Sequence, residues 1–298
     1  MNGNNHIPVL LEEALNLLDI EREGVYVDCT IGLGGHAFEI LKRNPKAAVI
    51  GFDIDEKSLL ETKKRLQPYE NRVELYHSDF RYLPDLKMDF SYIRGILLDL
   101  GLSSFQLDSP ERGFSFNHEG PLDMRMDLRN RITASKIINK YSEHKLANLF
   151  QEFGELRQSK RLARQIVSHR RAEKIETTSQ FLCIVEEICR WRPQRGKSHP
   201  AAKAFQALRI EVNQELRSLS GFLERISHKI PKEGRIAAIS FHSLEDRIIK
   251  HTFRQLAVTE NSHPFLKILT KKPVIPGEEE VSSNFRARSA KLRAVERI

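Results

Sequence analysis

Cysteine is scarce in this chain: Cys29, Cys183 and Cys189 are the only three in 298 residues, and no two form a CxxC pair. That excludes a disulfide framework and points to reduced thiols in a cytoplasmic protein. Cys183 and Cys189 lack metal-ligand spacing, so no metal is expected. No apolar run approaches the roughly 18–20 residues needed to cross a bilayer, so no membrane partner is expected. The N-terminal stretch MNGNNHIPVLLEEAL has neither the basic start nor the apolar core of a signal peptide. Repeats and low-complexity tracts are absent too. What remains, at 40% hydrophobic residues, is a chain able to bury one large core or two smaller ones.

Acidic balance is also missing from one internal segment. The formal net charge is +8. Residues 105–206 carry 19 Lys and Arg against 12 Asp and Glu, whereas the remainder carries 29 against 28. A local surplus of this kind suits a nucleic-acid-binding face, because neutralising phosphates releases counterions. It also suits a solvated helical surface, and charge alone does not separate the two.

The richest stretch is VYVDCTIGLGGH, Val25 to His36. A β-branched and aromatic run ends in Asp28. A glycine turn follows (Gly32, Gly34, Gly35), then a helical pattern from His36. Strand, tight turn and helix N-terminus bring backbone close to a nucleotide-like ligand. Asp53 ends the next apolar run, AAVIGFD, where a carboxylate can accept from both ribose hydroxyls.

Strands are expected at 25–29, 47–53, 72–79 and 92–101, with helices at 36–43 and 56–66 and a short helix or turn over 80–87. Alternation of this kind implies a doubly wound parallel α/β sheet with its ligand at the strands' carboxyl ends. The next strand signal is GRIAAISFHS (234–243), preceded by one long helical pattern over 204–226. The expected division is therefore a split catalytic domain, 1–104 and 203–298, interrupted at 105–202 by a lid loop and a basic all-α domain. Helical patterns fill 133–192, while 105–131 has neither period and reads as a lid or binding loop. Near the C-terminus, FLKILTKK and SAKLRAVERI read as a final antiparallel pair at one sheet edge. PGEEEVSSN between them reads as an exposed, mobile loop.

Two cofactor readings compete. Gly32-x-Gly34-x-x-Ala37 satisfies a relaxed dinucleotide pattern, which is a weak signal. Asp28 opposes it, since an acid before the turn repels a pyrophosphate but attracts the sulfonium and ammonium of S-adenosylmethionine. A carboxylate there also serves simply to stabilise the turn.

Longer blocks then carry a resemblance: HIPVLLEEAL (6–15), DCTIGLGGH (28–36), GILLDLGLSSFQLDSPERGFSF (95–116), GPLDMRMD (120–127), FQALRIEVNQEL (205–216), ISFHSLEDRIIK (239–250) and RARSAKLRAVER (286–297). Taken together, the chain resembles the bacterial 16S ribosomal RNA (cytosine-N4)-methyltransferases, the RsmH/MraW family. The resemblance implies a class I S-adenosylmethionine-dependent methyltransferase (Rossmann-like) fold with a helical insertion. It implies S-adenosyl-L-methionine as cofactor and small-subunit ribosomal RNA or the 30S particle as partner, and leaves monomer and homodimer both open. It places the cofactor contacts at Gly34, Gly35, His36, Asp53, Phe80, Asp99 and Gln106. Three runs depart from the family pattern: NFRAR with Phe285, HPAA (199–202) and GEL (154–156). These departures weaken any role for those side chains in RNA contact and leave the cofactor set intact.

Catalytic candidates are Asp99 and His242. Asp99 is suited to accept a hydrogen from the substrate amine, or to serve the cofactor alone. His242, Glu245 and Asp246, in the SFHSLEDR run after the fifth strand, are candidates for cytosine contact, although His242 also fits a strand-end residue that satisfies local backbone. Arg112, Arg125, Arg129 and Arg131 offer phosphate contacts unless Asp123 and Asp127 pair with them. Phe105, Phe114 and Phe116 either stack on bases or pin the loop to a core. The competing classes are a non-catalytic RNA-binding assembly factor and a nicotinamide oxidoreductase, which cofactor titration separates.

Overall fold

The computed structural model describes residues 8–189, 199–258 and 264–298. His6 and Ile7 of the first matching block, and Arg190 to Arg192 at the end of the last expected insertion helix, lie outside them. Two compact units are present: Met1–Gly101 with Arg217–Ile298, and Leu102–Leu216. Their junctions fall at 101/102 and 216/217, where the sequence pattern suggested 104/105 and 202/203.

In chain order the first unit opens with α1 (Leu11–Leu18), which was not among the expected elements. Leu10 before it is left-handed, with φ 52°, and provides no side-chain cap, so the usual start signature is absent. Then come β1 (Gly24–Asp28), α2 (Gly35–Arg43), β2 (Ala47–Asp53), α3 (Glu56–Arg65), β3 (Val73–His77) and β4 (Ile93–Asp99). The second unit contributes α4 (Ser104–Leu107), α5 (Ala134–Lys140), α6 (Glu143–Glu152), α7 (Ser159–Ala172), α8 (Thr178–Cys189) and α9 (Pro200–Asn213). The chain finishes in the first unit with α10 (Leu219–Lys229), β5 (Arg235–Ser240), α11 (Ser243–Ala257), β6 (Leu266–Ile268), α12 (Glu278–Ser283) and β7 (Lys291–Arg297).

The seven strands form one sheet in the order β3-β2-β1-β4-β5-β7-β6. The first five are mutually parallel. The antiparallel C-terminal pair completes that edge, with β7 inserted between β5 and β6. Successive strand residues alternate between two buried clusters. Tyr26 and Leu97 belong to one, with α1 and α2 residues such as Leu15 and Ile40. Val27 and Leu98 belong to the other, with Leu223 of α10 and Phe253 of α11. A period of two with both faces covered is why β2 and β4 read as continuous apolar runs.

Two expectations need correction. The pattern over 204–226 is not one helix, because Gln214 (φ 51°) ends α9 and Ser218 (φ 62°) opens α10, both left-handed. Amphipathic period persists across the break, so periodicity did not reveal it. PGEEEVSSN is not a free loop: Glu278–Ser283 is the helix α12, and Glu280 Oε1 accepts from the Leu10 backbone N–H at 2.7 Å. No helix among the described residues is long and apolar enough to cross a membrane.

Strand order reverses direction between β1 and β4, and the crevice outside their carboxyl ends is where such sheets bind ligands. Asp28 ends β1, Asp53 ends β2 and Asp99 ends β4. These three acids frame the site.

Candidate functional site

The glycine turn is built around backbone constraints. Gly32 (φ 53°) and Gly34 (φ 71°) are left-handed, a conformation that excludes most side chains. Gly35 has ordinary φ but no room, because a Cβ there would lie 2.5 Å from Pro8 Cγ. Thr62 Oγ1 donates to the Gly32 carbonyl and ties the turn to α3. The turn therefore presents the start of α2 without side chains in front of it.

Asp53 stitches that turn to its own strand end. Its Oδ2 accepts from Gly32 N at 2.8 Å and its Oδ1 from Asp55 N at 2.8 Å. A carboxylate has about four acceptor positions, so lone pairs remain on both oxygens for a ribose. Burial pushes its carboxyl up to about 6, against the pull of those two amides.

Asp28 is more deeply set, at 2% exposure, and its Oδ1 accepts from Thr30 N at 3.2 Å. Burial, opposed by that hydrogen bond and reinforced by Asp53, pushes its carboxyl up to about 7. The turn-stabilising role is the one it occupies, and its charge is felt by its neighbours Asp99 and Cys29.

Asp99 is the third acid. Its backbone N–H donates to Thr30 Oγ1 at 2.6 Å, which docks the end of β4 onto the β1 turn. Its Oδ2 lies 3.8 Å from His36 Nδ1, while Oδ1 is buried with no hydrogen-bond partner among the described residues. Burial, then Asp28, then Glu245 hold its carboxyl well above the usual carboxylate range. His36 is buried in the first turn of α2, with Nε2 3.1 Å from the Val9 carbonyl oxygen. Gly34, Gly35, His36, Asp53 and Asp99 thus converge on one turn.

Phe80 follows β3 and packs edge-to-face on Phe222 of α10, with centroids 4.8 Å apart. Gln106 is buried in the helical unit, where its Oε1 accepts from Ser103 N at 3.2 Å. His242 caps α11 by accepting from Glu245 N, and the Glu245 side chain returns to the cap backbone. Glu245 is 2% exposed. Asp246 pairs with Arg293 at 2.6 Å and Lys291 at 3.4 Å, which assigns it to clasping α11 to β7.

The lid-loop arginines are mostly committed to structure. Arg125 forms a two-pronged pair with Asp123, both contacts at 2.7 Å. Arg129 pairs with Asp127 at 2.9 Å. Arg112 is buried and donates from Nη2 to the carbonyls of Arg125 and Met126. Phe116 stacks on His199 and meets Phe205 edge-to-face, and Phe114 is buried. Those two rings pin the loop. Arg131 remains exposed on it.

Thr30, Thr62 and Val9 were not foreseen as parts of the site. They act through one hydroxyl or one carbonyl each, for which spacing gives no signal. The His242–Glu245 cap was visible in principle, because an N-cap residue with Glu three positions on is a capping-box pattern.

The sequence pattern of the MraW methylase family matches residues 3–298. The chain is 47% identical over 296 residues to the ribosomal RNA small subunit methyltransferase H of Trichodesmium erythraeum (strain IMS101), covering 99% of each. It is 47% identical over 294 residues to the protein of that name from Cyanothece sp. (strain PCC 7425 / ATCC 29141), covering 98% of this chain and 95% of that one. With the protein of that name from Halothermothrix orenii it shares 44% over 308 residues, covering 98% of each.

Proposed function

The chain belongs to the MraW methylase family, and from that premise we propose that it methylates the exocyclic N4 amine of one cytidine in the decoding centre of 16S ribosomal RNA. Near-complete alignment, at 47% identity, with relatives named as small-subunit ribosomal RNA methyltransferases carries this reading. S-adenosylmethionine, when bound, supplies an electrophilic methyl group on a sulfonium.

The strand-end acids fit that group. Asp53 retains acceptor capacity for ribose hydroxyls, and the three acids around the turn, whose ionisation burial opposes, gain from a cation beside them and would be opposed further by a pyrophosphate. Gly34, Gly35 and His36 would line the amino-acid end and Phe80 would cover one face of the adenine; Gln106 completes the set that the family resemblance implies. Asp99 would serve both cofactor and chemistry.

A cytosine amine is a poor nucleophile, because its lone pair is delocalised into the ring. An acceptor for one of its hydrogens favours the pyramidal, attacking form and stabilises the positive charge that develops on nitrogen. Asp99 Oδ1, which has no hydrogen-bond partner among the described residues, supports that role. As the new N–C bond forms, the methyl–sulfur bond breaks and the sulfur leaves as a neutral thioether; the amine proton then departs, and an ionised Asp99 carboxylate would receive it. His242 at the end of β5 is the second catalytic candidate. A paired amine cannot enter such a crevice, so the target cytidine is splayed out of its helix. The helical unit, with its basic surplus, would supply RNA affinity. We place the reaction in the cytoplasm, on ribosomal RNA free or assembled into the small subunit, without a metal.

Incubation with labelled S-adenosylmethionine and small-subunit particles lacking the modification tests the reading. Methyl incorporation at a single cytidine, located by mass spectrometry, is expected. No incorporation by a folded, cofactor-binding protein would refute it.

A further inference from the structure

Two buried polar atoms of the first unit stand at the carboxyl ends of neighbouring strands without a hydrogen-bond partner among the described residues. They are Asp99 Oδ1 at the end of β4 and His242 Nε2 just beyond β5. The strands are adjacent and parallel, with Asp99 in register with Ile239. His242 follows three residues later, and its side chain is 7% exposed.

The two atoms are complementary in type. Glu245 N donates to His242 Nδ1 at 3.3 Å. A ring nitrogen that accepts carries no proton, so the proton of the neutral ring resides on Nε2, which becomes a donor. Glu245 Oε1 lies 3.2 Å from Nε2 but outside hydrogen-bonding geometry. That carboxylate is held in place, because its Oε2 accepts from the backbone of Phe241 at 2.9 Å and of His242 at 3.3 Å. On the other side, Oδ2 of Asp99 faces His36, which leaves Oδ1 as the outward acceptor. One fixed donor and one fixed acceptor therefore await a ligand that offers the reverse pair.

We propose that Asp99 and His242 together read the base edge of the substrate, with Asp99 Oδ1 accepting from the cytosine N4 amine and His242 Nε2 donating to cytosine N3. This rests on the methyltransferase reading above and names how the base is chosen. Cytosine presents a donor at N4 and an acceptor at N3. Uracil presents the opposite at both positions, so it meets acceptor with acceptor and donor with donor. Unpaired buried groups of this kind penalise the wrong base far more than they reward the right one.

The test uses 30S particles reconstituted with 16S RNA carrying cytidine or 3-deazacytidine at the methylated position. 3-Deazacytidine keeps the amine and lacks the N3 acceptor. The full-length enzyme is compared with His242→Asn, whose amide oxygen retains the helix cap but lacks the ring donor. The wild type should lose about 10- to 100-fold in kcat/KM on 3-deazacytidine. His242→Asn should lose a similar factor on cytidine and treat the two bases within about 3-fold, with unchanged affinity for S-adenosylmethionine. Because removing N3 alters the amine's own reactivity, the ratio between the two enzymes is decisive. A variant that discriminates as strongly as the wild type, or a wild type indifferent to the change, overturns the proposal. Failure of the wild type on cytidine itself would instead overturn the methyltransferase reading.

Discussion

At the scale of single residues, three aspartates at three strand ends have different duties. Asp53 ties the glycine turn and keeps acceptor capacity. Asp99 keeps one oxygen without a hydrogen-bond partner among the described residues. Asp28 is buried and spends its carboxylate on the Thr30 amide. That burial makes Asp28 a stability liability with a defined pH window. In the folded chain it titrates near 7, against 3.8 when unperturbed. Between those values the folded state holds a proton that the unfolded state has released, so the residue's contribution to stability falls as pH rises and levels off above about pH 7. Asp28→Asn keeps an oxygen for Thr30 and removes the charge. Its advantage over the wild type should grow between pH 4 and 7 and reach on the order of 2–4 kcal/mol at pH 8. Urea unfolding at pH 5 and pH 8 reads this directly, and an equal advantage at both would show that the charge is not the cause.

At the scale of elements, close approaches and left-handed residues set the boundaries. Gly35→Ala would drive a methyl into Pro8, 2.5 Å from its Cγ. Displacement of the segment before α1 should cost about 1–3 kcal/mol and weaken S-adenosylmethionine binding, as thermal unfolding and calorimetric titration would record. The break between α9 and α10 behaves in the opposite sense. Gln214 is held at φ 51°, which glycine adopts without strain. Gln214→Gly should therefore raise stability by about 0.5–1 kcal/mol. A fall in the unfolding temperature would instead assign the side chain a packing role. The 105–131 loop is an element of its own kind: beyond the short helix α4 and a 3-10 turn at Pro110–Arg112 it is clasped by Arg125–Asp123 and Arg129–Asp127. Those arginines were candidates for phosphate, and their partners two residues away make them loop staples.

At the scale of the whole molecule, the charge is partitioned. Residues 105–206 hold 19 Lys and Arg against 12 Asp and Glu. With Arg112 and Arg125 engaged internally and Arg129 paired to Asp127, Lys160, Arg161 and Arg171 of α7 are among the exposed cations of the helical unit. Replacing Lys160 and Arg161 by glutamine should flatten the salt dependence of RNA binding by about 1–2 in the slope of log K against log salt. Cofactor affinity should stay unchanged. Titrations at three salt concentrations measure the slope, and an unaltered value would direct attention to Arg131 and the lid loop.

Sequence alone determined the sheet, the glycine turn and the acids at its rim. Strand alternation and strand-end aspartates are local patterns: VYVD, AAVIGFD and GILLD each announce a buried strand and the charged residue that stops it. The family resemblance was legible for the same reason, since long polar blocks survive without reference to packing. Tertiary structure decided which polar groups are already satisfied. The Asp123–Arg125 pair, the burial of Asp28 and the Asp246–Arg293 clasp each depend on which neighbour a fold brings within 3 Å or so, and residue identity carries no record of that. It also decided the break at Gln214 and the start of α1, where left-handed backbone replaces any cap. Above all, it left Asp99 Oδ1 and His242 Nε2 buried without a hydrogen-bond partner among the described residues. A sequence can offer an aspartate and a histidine as candidates, but only packing shows which of their atoms are left for a substrate.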